Sequence, residues 1–214
     1  DYPQLKDKPM AVCGNPDDRH GIILAKNEIA KKYGIVTAET LWQARKKCPG
    51  LQVVPPHHHK YRHYSKLINQ IYLRYTDMVE PFSVDESWLD VTGSTKLFGT
   101  GSQIADEIRQ TVKKELGLTL SAGVSFNKIF AKMGSDYKKP DATTVITREN
   151  FKLLLWPMNV RSMFFVGKAT AGKLHDYGIK TIGELANSDR NMIKKMLGKQ
   201  GGLIHDYANG LDTT

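Results

Sequence analysis

Cysteine is scarce. Cys13 and Cys48 are the only two in 214 residues, too few for a disulfide framework. No stretch approaches the roughly 18 consecutive apolar residues of a membrane-spanning helix, which excludes such a span. The first residues, Asp1-Tyr2-Pro3-Gln4, are polar and carry no secretory h-region. A reduced, cytosolic setting is the default that follows. Repeats and low-complexity segments are absent. Acidic residues are in deficit, 22 against 31 Lys and Arg, so the formal net charge is +9. What is present is an ordinary globular mix, 40% hydrophobic and 25% charged, which excludes a disordered chain.

The charge is unevenly distributed. Residues 1–75 carry 13 basic and 6 acidic side chains, residues 76–147 carry 8 and 10, and residues 148–214 carry 10 and 6. Two basic flanks around an acidic centre suit a polyanion surface around a cation-holding centre; solvated helix faces are the alternative. Periodicity and punctuation predict strands at 10–14, 21–25 and 51–54, and helices at 27–33, 40–47 and 57–75. The pattern then changes. Residues 79–92 alternate around a charged centre, as in an antiparallel hairpin. An amphipathic helix over 103–116 places Ile104, Ile108, Val112 and Leu116 on one face. A strand at 119–124, a helix at 127–137 and a strand at 143–147 follow. The remainder reads as helices at 149–155, 170–177, 182–186 and 191–197. Composition and periodicity shift near 57 and near 147.

The segment SVDESWLD, residues 83–90, carries the chemistry. Carboxylates are depleted in apolar strands, and adjacent ones repel unless cations neutralise them. Phosphoryl transfer uses such clusters to hold Mg²⁺, which binds phosphates and activates a hydroxyl. The alternative is a solvent-exposed turn with two acids. Three other features carry less. His57, His58 and His59 are neighbours on a predicted helix and point apart, a poor chelate. Cys13 and Cys48 read as buried or half-buried thiols. Arg45-Lys46-Lys47 reads as a solvated helix end, where cations also suit the helix dipole.

The window 79–92, VEPFSVDESWLDVT, resembles the catalytic signature of the Y-family (translesion) DNA polymerases of the DinB/UmuC group. Further blocks resemble that family in the same order. They are AKNEIAKKYG (25–34) for its fingers helix, SAGVSFNK (121–128) with FAK (130–132), Asp136 with Lys139-Pro140, and FVGKATAGKL (165–174) with Gly178-Ile179 for its thumb hairpin. The resemblance covers nearly all 214 residues.

It implies an α+β fold: fingers at 1–57, a small α/β unit; a palm at 58–147 with a mixed or antiparallel sheet and packed helices; and a helical thumb at 148–214 with a helix-hairpin-helix. It implies template-directed nucleotidyl transfer from a deoxynucleoside triphosphate to a primer 3′-hydroxyl, with two Mg²⁺ ions. Asp85 would bridge both ions and Glu86 would help hold the one at the primer hydroxyl. Asp90, a structural hydrogen-bond acceptor or a further metal ligand, is left out of the site. Lys139 and Lys31 would neutralise the triphosphate. Glu28 stands where many members have tyrosine, a departure at the nucleotide contact. Gly167, Lys168 and Thr170 would form the turn that meets a DNA phosphate, Thr170 starting the following helix. The family pattern usually has glycine where Phe165 stands.

The same resemblance implies a fragment that polymerises poorly, without the first palm strand, its metal-binding aspartate and the little-finger domain. The expected partners are primer-template DNA and dNTP, with a sliding clamp through C-terminal sequence beyond this chain. No membrane is expected. The expected state is a monomer in bacterial cytoplasm, associated with the nucleoid. Two other classes stay open, a non-catalytic DNA-binding module and another palm-type enzyme such as a nucleotide cyclase. The thumb block and Lys139-Pro140 favour the polymerase over the cyclase.

Overall fold

The computed structural model describes residues 2–14, 21–212 and 214, and it is an α+β chain of small sheets and many helices. It divides into two compact units, residues 1–63 and 64–214.

In the first unit, β1 (Met10–Cys13) pairs antiparallel with β2 (Ile23–Lys26) and parallel with β3 (Gln52–Val54), giving the order β2-β1-β3. Between them lie α1 (Glu28–Lys32) and α2 (Leu41–Lys47). The Asn27 side chain accepts from Ala30 N–H to start α1, and Thr40 and Gln43 cap α2 reciprocally. The core is made of short residues: Ala11, Cys13, Ala30, Ala44 and Cys48 around Ile23, Ile35, Leu41 and Leu51. Both cysteines are buried there. Residues 15–20 lie outside the described residues; the strand expected from 21 begins at Ile23.

Helix α3 (His58–Tyr72) leads to a hairpin of β4 (Val79–Pro81) and β5 (Ser87–Leu89), paired antiparallel. A short α4 (Thr95–Phe98) and the long α5 (Gly101–Leu116) follow. The predicted apolar face of α5 is realised: Ile104, Ile108 and Val112 are buried with Ile71 and Tyr75. Next come β6 (Ala122–Ser125), α6 (Lys128–Tyr137) and β7 (Thr143–Ile146), with β6 and β7 parallel. The chain ends in helices α7 (Phe151–Leu155), α8 (Lys168–Asp176), α9 (Ile182–Ala186), α10 (Arg190–Leu197) and α11 (Lys199–Ala208). One apolar core runs from Ile129 and Phe130 of α6 through Leu155, Leu174 and Ile182 to Ile204 of α11.

Several expectations need correction. Asp85 and Glu86 lie in the hairpin loop, not in a strand, because the ladder closes at Pro81 opposite Ser87. The strand expected from 119 begins at Ala122, where its partner β7 begins at Thr143. The helix expected from 149 begins at Phe151, after Thr147 and Asn150 exchange side-chain-to-backbone hydrogen bonds. Helix α8 starts at Lys168, so Thr170 sits inside its first turn. Helices α4 and α11 were not anticipated. Gly201 and Gly202 weaken helix propensity in α11, but a Cβ at Gly201 would meet the Ile193 carbonyl at 2.3 Å, so glycine is what lets α11 pack on α10.

A tighter contact positions the site. A Cβ at Gly123 of β6 would lie 1.8 Å from the Ala131 carbonyl oxygen and 2.5 Å from Ser135 N, both backbone atoms of α6. Only glycine admits this approach, and it sets the depth at which α6 rests on the β6–β7 pair. Gly123→Ala is expected to destabilise the chain by about 3 kcal/mol, the upper end of ordinary overpacking. The melting temperature should fall by about 6–12 °C. An unchanged melting temperature would show that α6 shifts without cost.

Candidate functional site

The site is built on the β4–β5 loop and on α6. Phe82 N–H and Ser83 N–H both donate to the Glu86 carbonyl, at 2.9 and 3.3 Å, which folds the loop back on itself. Ser83 Oγ donates to Asp85 Oδ1 at 2.9 Å, and the Asp85 side chain is otherwise turned to solvent. The hairpin is pinned from both sides. Trp88 Nε1 donates to the Lys128 carbonyl at 3.1 Å, Lys128 Nζ reaches Glu80 at 2.6 Å, and Ser87 Oγ donates to Asn69 Oδ1 at 3.0 Å. Asn127 caps α6 by accepting from Phe130 N–H at 2.8 Å, so the helix starts where the hairpin docks.

One turn along α6, Lys132 reaches across to the loop. Its ammonium donates to Glu86 Oε1 at 2.8 Å and to Asp136 Oδ2, four residues on, at 2.9 Å. Asp136 in turn holds Lys139 at 2.6 Å. Glu86, Lys132, Asp136 and Lys139 thus form a row of alternating charge. Burial works against the Lys132 charge, yet hydrogen bonds to Glu86 and Asp136 outweigh it and raise its pKa. Burial likewise pushes the Asp136 carboxyl up, while Lys139 and Lys132 pull it below the usual carboxylate range. Sequence reading assigned no site role to Lys132 or Asp136. Their i, i+4 spacing signals an ion pair, but nothing local signals the reach to Glu86, 46 positions earlier.

Lys139 is exposed, on a loop anchored from behind. Arg109 of α5 donates to the Asp141 carbonyl and, at 2.8 Å, to Asp141 Oδ1; Lys113 reaches Oδ2 at 2.9 Å. Arg109 also meets Asp106 at 2.9 Å and Thr143 Oγ at 3.3 Å, and Asp141 is held at a φ of 51°. Asp90 accepts from Thr92 N–H at 2.9 Å; the Thr92 hydroxyl first and this N–H next hold its carboxyl below the usual range, so its oxygens already serve as acceptors for the local turn. Lys31 lies in the first unit, exposed, 3.5 Å from Glu28. Gly167, Lys168 and Thr170 are together at the start of α8, whose first turn has no capping side chain. Gly167 has φ −78°, and a Cβ there would meet nothing within 4 Å. Neither backbone conformation nor internal packing therefore requires that glycine.

Two adjacent carboxylates in a fixed loop are hard oxygen donors. Among the described residues no group of three or more His, Cys, Asp or Glu is arranged to hold a metal. A pair of carboxylates is a donor set that an ion of the Mg²⁺ type takes, binding through one or two carboxylates plus substrate phosphates rather than in an all-protein cage.

Comparison with solved structures defines the class. A Y-family DNA polymerase chimera superposes with a TM-score of 0.89 at 27% identity, covering 99% of this chain and 63% of the other. DinB from Sulfolobus solfataricus gives 0.86 at 27% identity, covering 97% and 61%. The fold is that of the Y-family polymerases. The model of the impB/mucB/samB family matches residues 1–136 and that of the IMS family HHH motif matches residues 148–179, so the chain belongs to the impB/mucB/samB family. Relatives named DNA polymerase IV include that of Acetivibrio thermocellus, 54% identical over 213 residues, and DNA polymerase IV 1 of Bacillus subtilis, 42% identical over 209. The chain covers 100% and 98% of its own length in these matches, and 53% and 50% of theirs, so it spans about half the length of these relatives.

The Asp141 anchor yields a pH prediction. Lys113 first and Arg109 next hold the Asp141 carboxyl below the usual range. A carboxyl depressed in the folded state adds stability that is complete above its unfolded value, near about 4. That stability is lost as pH falls through the depressed value. Arg109→Met is expected to move the Asp141 titration midpoint upward and to flatten this acid limb, read by carboxyl NMR titration. An unmoved midpoint would assign the depression to Lys113 alone.

Proposed function

We propose that the chain is part of a DNA-directed DNA polymerase of the translesion type, acting in DNA repair in the bacterial cytoplasm, close to the nucleoid. In this reading residues 1–57 are fingers, 58–147 palm and 148–214 thumb. The observation that carries it is the linkage of the pair formed by exposed Asp85 and half-buried Glu86 to Lys139 through Lys132 and Asp136. A carboxylate pair and a cation on one scaffold are what a triphosphate and its counter-ions need. The relatives' name, DNA polymerase IV, and a neighbour described as an insertion ternary complex of Dbh DNA polymerase support it.

Asp85 and Glu86 would hold two Mg²⁺ ions, Asp85 shared between them and Glu86 on the side of the primer hydroxyl. When bound, such ions neutralise phosphate charge and lower the pKa of the attacking hydroxyl. The chain's own residues supply position and field. The closed 82–86 loop fixes where the carboxylates stand. Lys132 neutralises Glu86 and orients it. Lys139 and Lys31 would bind triphosphate oxygens, each exchanging its present carboxylate partner for phosphate. Gly167, Lys168 and Thr170 would meet a DNA phosphate: the uncapped N–H groups of α8 donate, Lys168 adds charge, and the open space over Gly167 admits the strand.

The test is single-turnover primer extension in a polypeptide spanning the relatives' full length. Asp85→Ala is expected to lower the extension rate by about a thousandfold or more, with primer-template binding nearly unchanged. Lys139→Ala should chiefly raise the apparent KM for dNTP. Extension by Asp85→Ala within a few-fold of the unsubstituted enzyme would remove the metal assignment and leave a DNA-binding module. A Lys139→Ala effect on DNA affinity alone would turn that lysine toward the duplex.

A further inference from the structure

The turn before α8 carries a residue that its backbone conformation does not favour. Phe165 has φ 68°, the left-handed region that glycine occupies freely and a bulky side chain enters at a cost. A ring held in an unfavourable backbone conformation would be explained by deep burial, yet Phe165 is 50% exposed.

Its surroundings say what the exposed face could meet. The ring lies 4.1 Å from Phe164 and 6.1 Å from Tyr207, centroid to centroid. Phe164 continues to Phe82 at 5.8 Å and to Trp88 at 6.4 Å, so a row of rings runs from the carboxylate hairpin through Phe164 and Phe165 to Tyr207. On the other side, Val166 is buried while Gly167, Lys168 and Ala169 are exposed. The surface is thus an apolar ring face beside a glycine with open space over it, an ammonium and uncapped N–H groups. A nucleic-acid strand presents the complementary order, with apolar sugar and base faces spaced between phosphates. Residues 148–214 carry 10 basic and 6 acidic side chains, which suits the same partner.

We propose that Phe165 is a DNA contact, its exposed ring packing on a sugar or base face of the strand whose phosphate the 167–170 turn binds. The inference rests on the DNA-binding reading of that turn. It adds a non-ionic contact, which sets the strand's placement on the turn rather than its charge neutralisation.

The experiment is fluorescence-anisotropy titration of the 214-residue chain with a short labelled primer-template duplex over a range of salt concentrations, with melting temperatures for each variant. Phe165→Gly removes the ring while suiting the backbone, so its melting temperature should hold or rise. Its affinity should fall by about 5- to 20-fold at every salt concentration, as loss of one stacking contact does. The slope of log K against log salt should not change, since no phosphate contact is lost. Phe165→Tyr should restore affinity to within about twofold, because it keeps a π-face for stacking. Lys168→Ala should instead reduce the salt slope by about one unit. Unchanged affinity in Phe165→Gly overturns the proposal and leaves the ring to an apolar protein partner. A lowered melting temperature in that variant, or a changed salt slope, also overturns it, assigning the ring to internal packing or to shaping the phosphate turn. If the unsubstituted chain shows no salt-dependent binding, the DNA reading of the turn fails and this inference with it. Salt-dependent binding that Lys168→Ala weakens while Phe165→Gly does not overturns the inference alone.

Discussion

The Lys132 ammonium joins two carboxylates that would otherwise repel their surroundings, Glu86 at 2.8 Å and Asp136 at 2.9 Å. Much of the site's order depends on it. Without the cation, Glu86 would be a half-buried carboxylate beside the exposed Asp85. Asp136 would keep only Lys139. Because one side chain serves both acids, the hairpin loop and the loop after α6 are held at a set spacing. Two separate surface ion pairs would do far less, since each alone is worth little in solvent.

That arrangement requires α6 to sit at one height over the β6–β7 pair, and the height is set by a contact without side chains. Gly123 meets the α6 backbone directly. The helix N-terminus is fixed by Asn127 and by the docking of Trp88 on the Lys128 carbonyl. Behind the Lys139 loop, Arg109 and Lys113 hold Asp141 from α5. Steric approach, capping and ion pairing each constrain a different degree of freedom of the same few residues, which is how a site of exposed groups keeps its geometry.

Much of this was legible in the sequence, for identifiable reasons. The α5 face was readable because Ile104, Ile108 and Val112 recur at helical spacing. The hairpin was readable because apolar residues alternate on both sides of the acidic centre. The placement of Asp85 and Glu86 in the loop was not, because strand ends depend on where the ladder stops, here Pro81 against Ser87. The start expected at Thr170 was off by two residues, because α8 begins at Lys168 after Gly167 with no side-chain cap to mark it. The α11 helix was hidden by Gly201-Gly202, whose propensity opposes a helix, while the missing Cβ of Gly201 permits its packing on α10.

The sequence by itself determined the element order apart from α4 and α11, the apolar faces, the acidic pair and the likeness to one polymerase family, because these reside in residue types and short spacings. The tertiary structure decided which charges meet. Glu86 and Lys132 stand 46 positions apart, and Arg109 and Asp141 stand 32 apart. It also decided that Phe165 would hold a left-handed backbone with half its surface in solvent. The reason is physical: propensity and periodicity act over a few residues, but partners in an ion pair and the exposure of a ring are chosen only when distant segments pack.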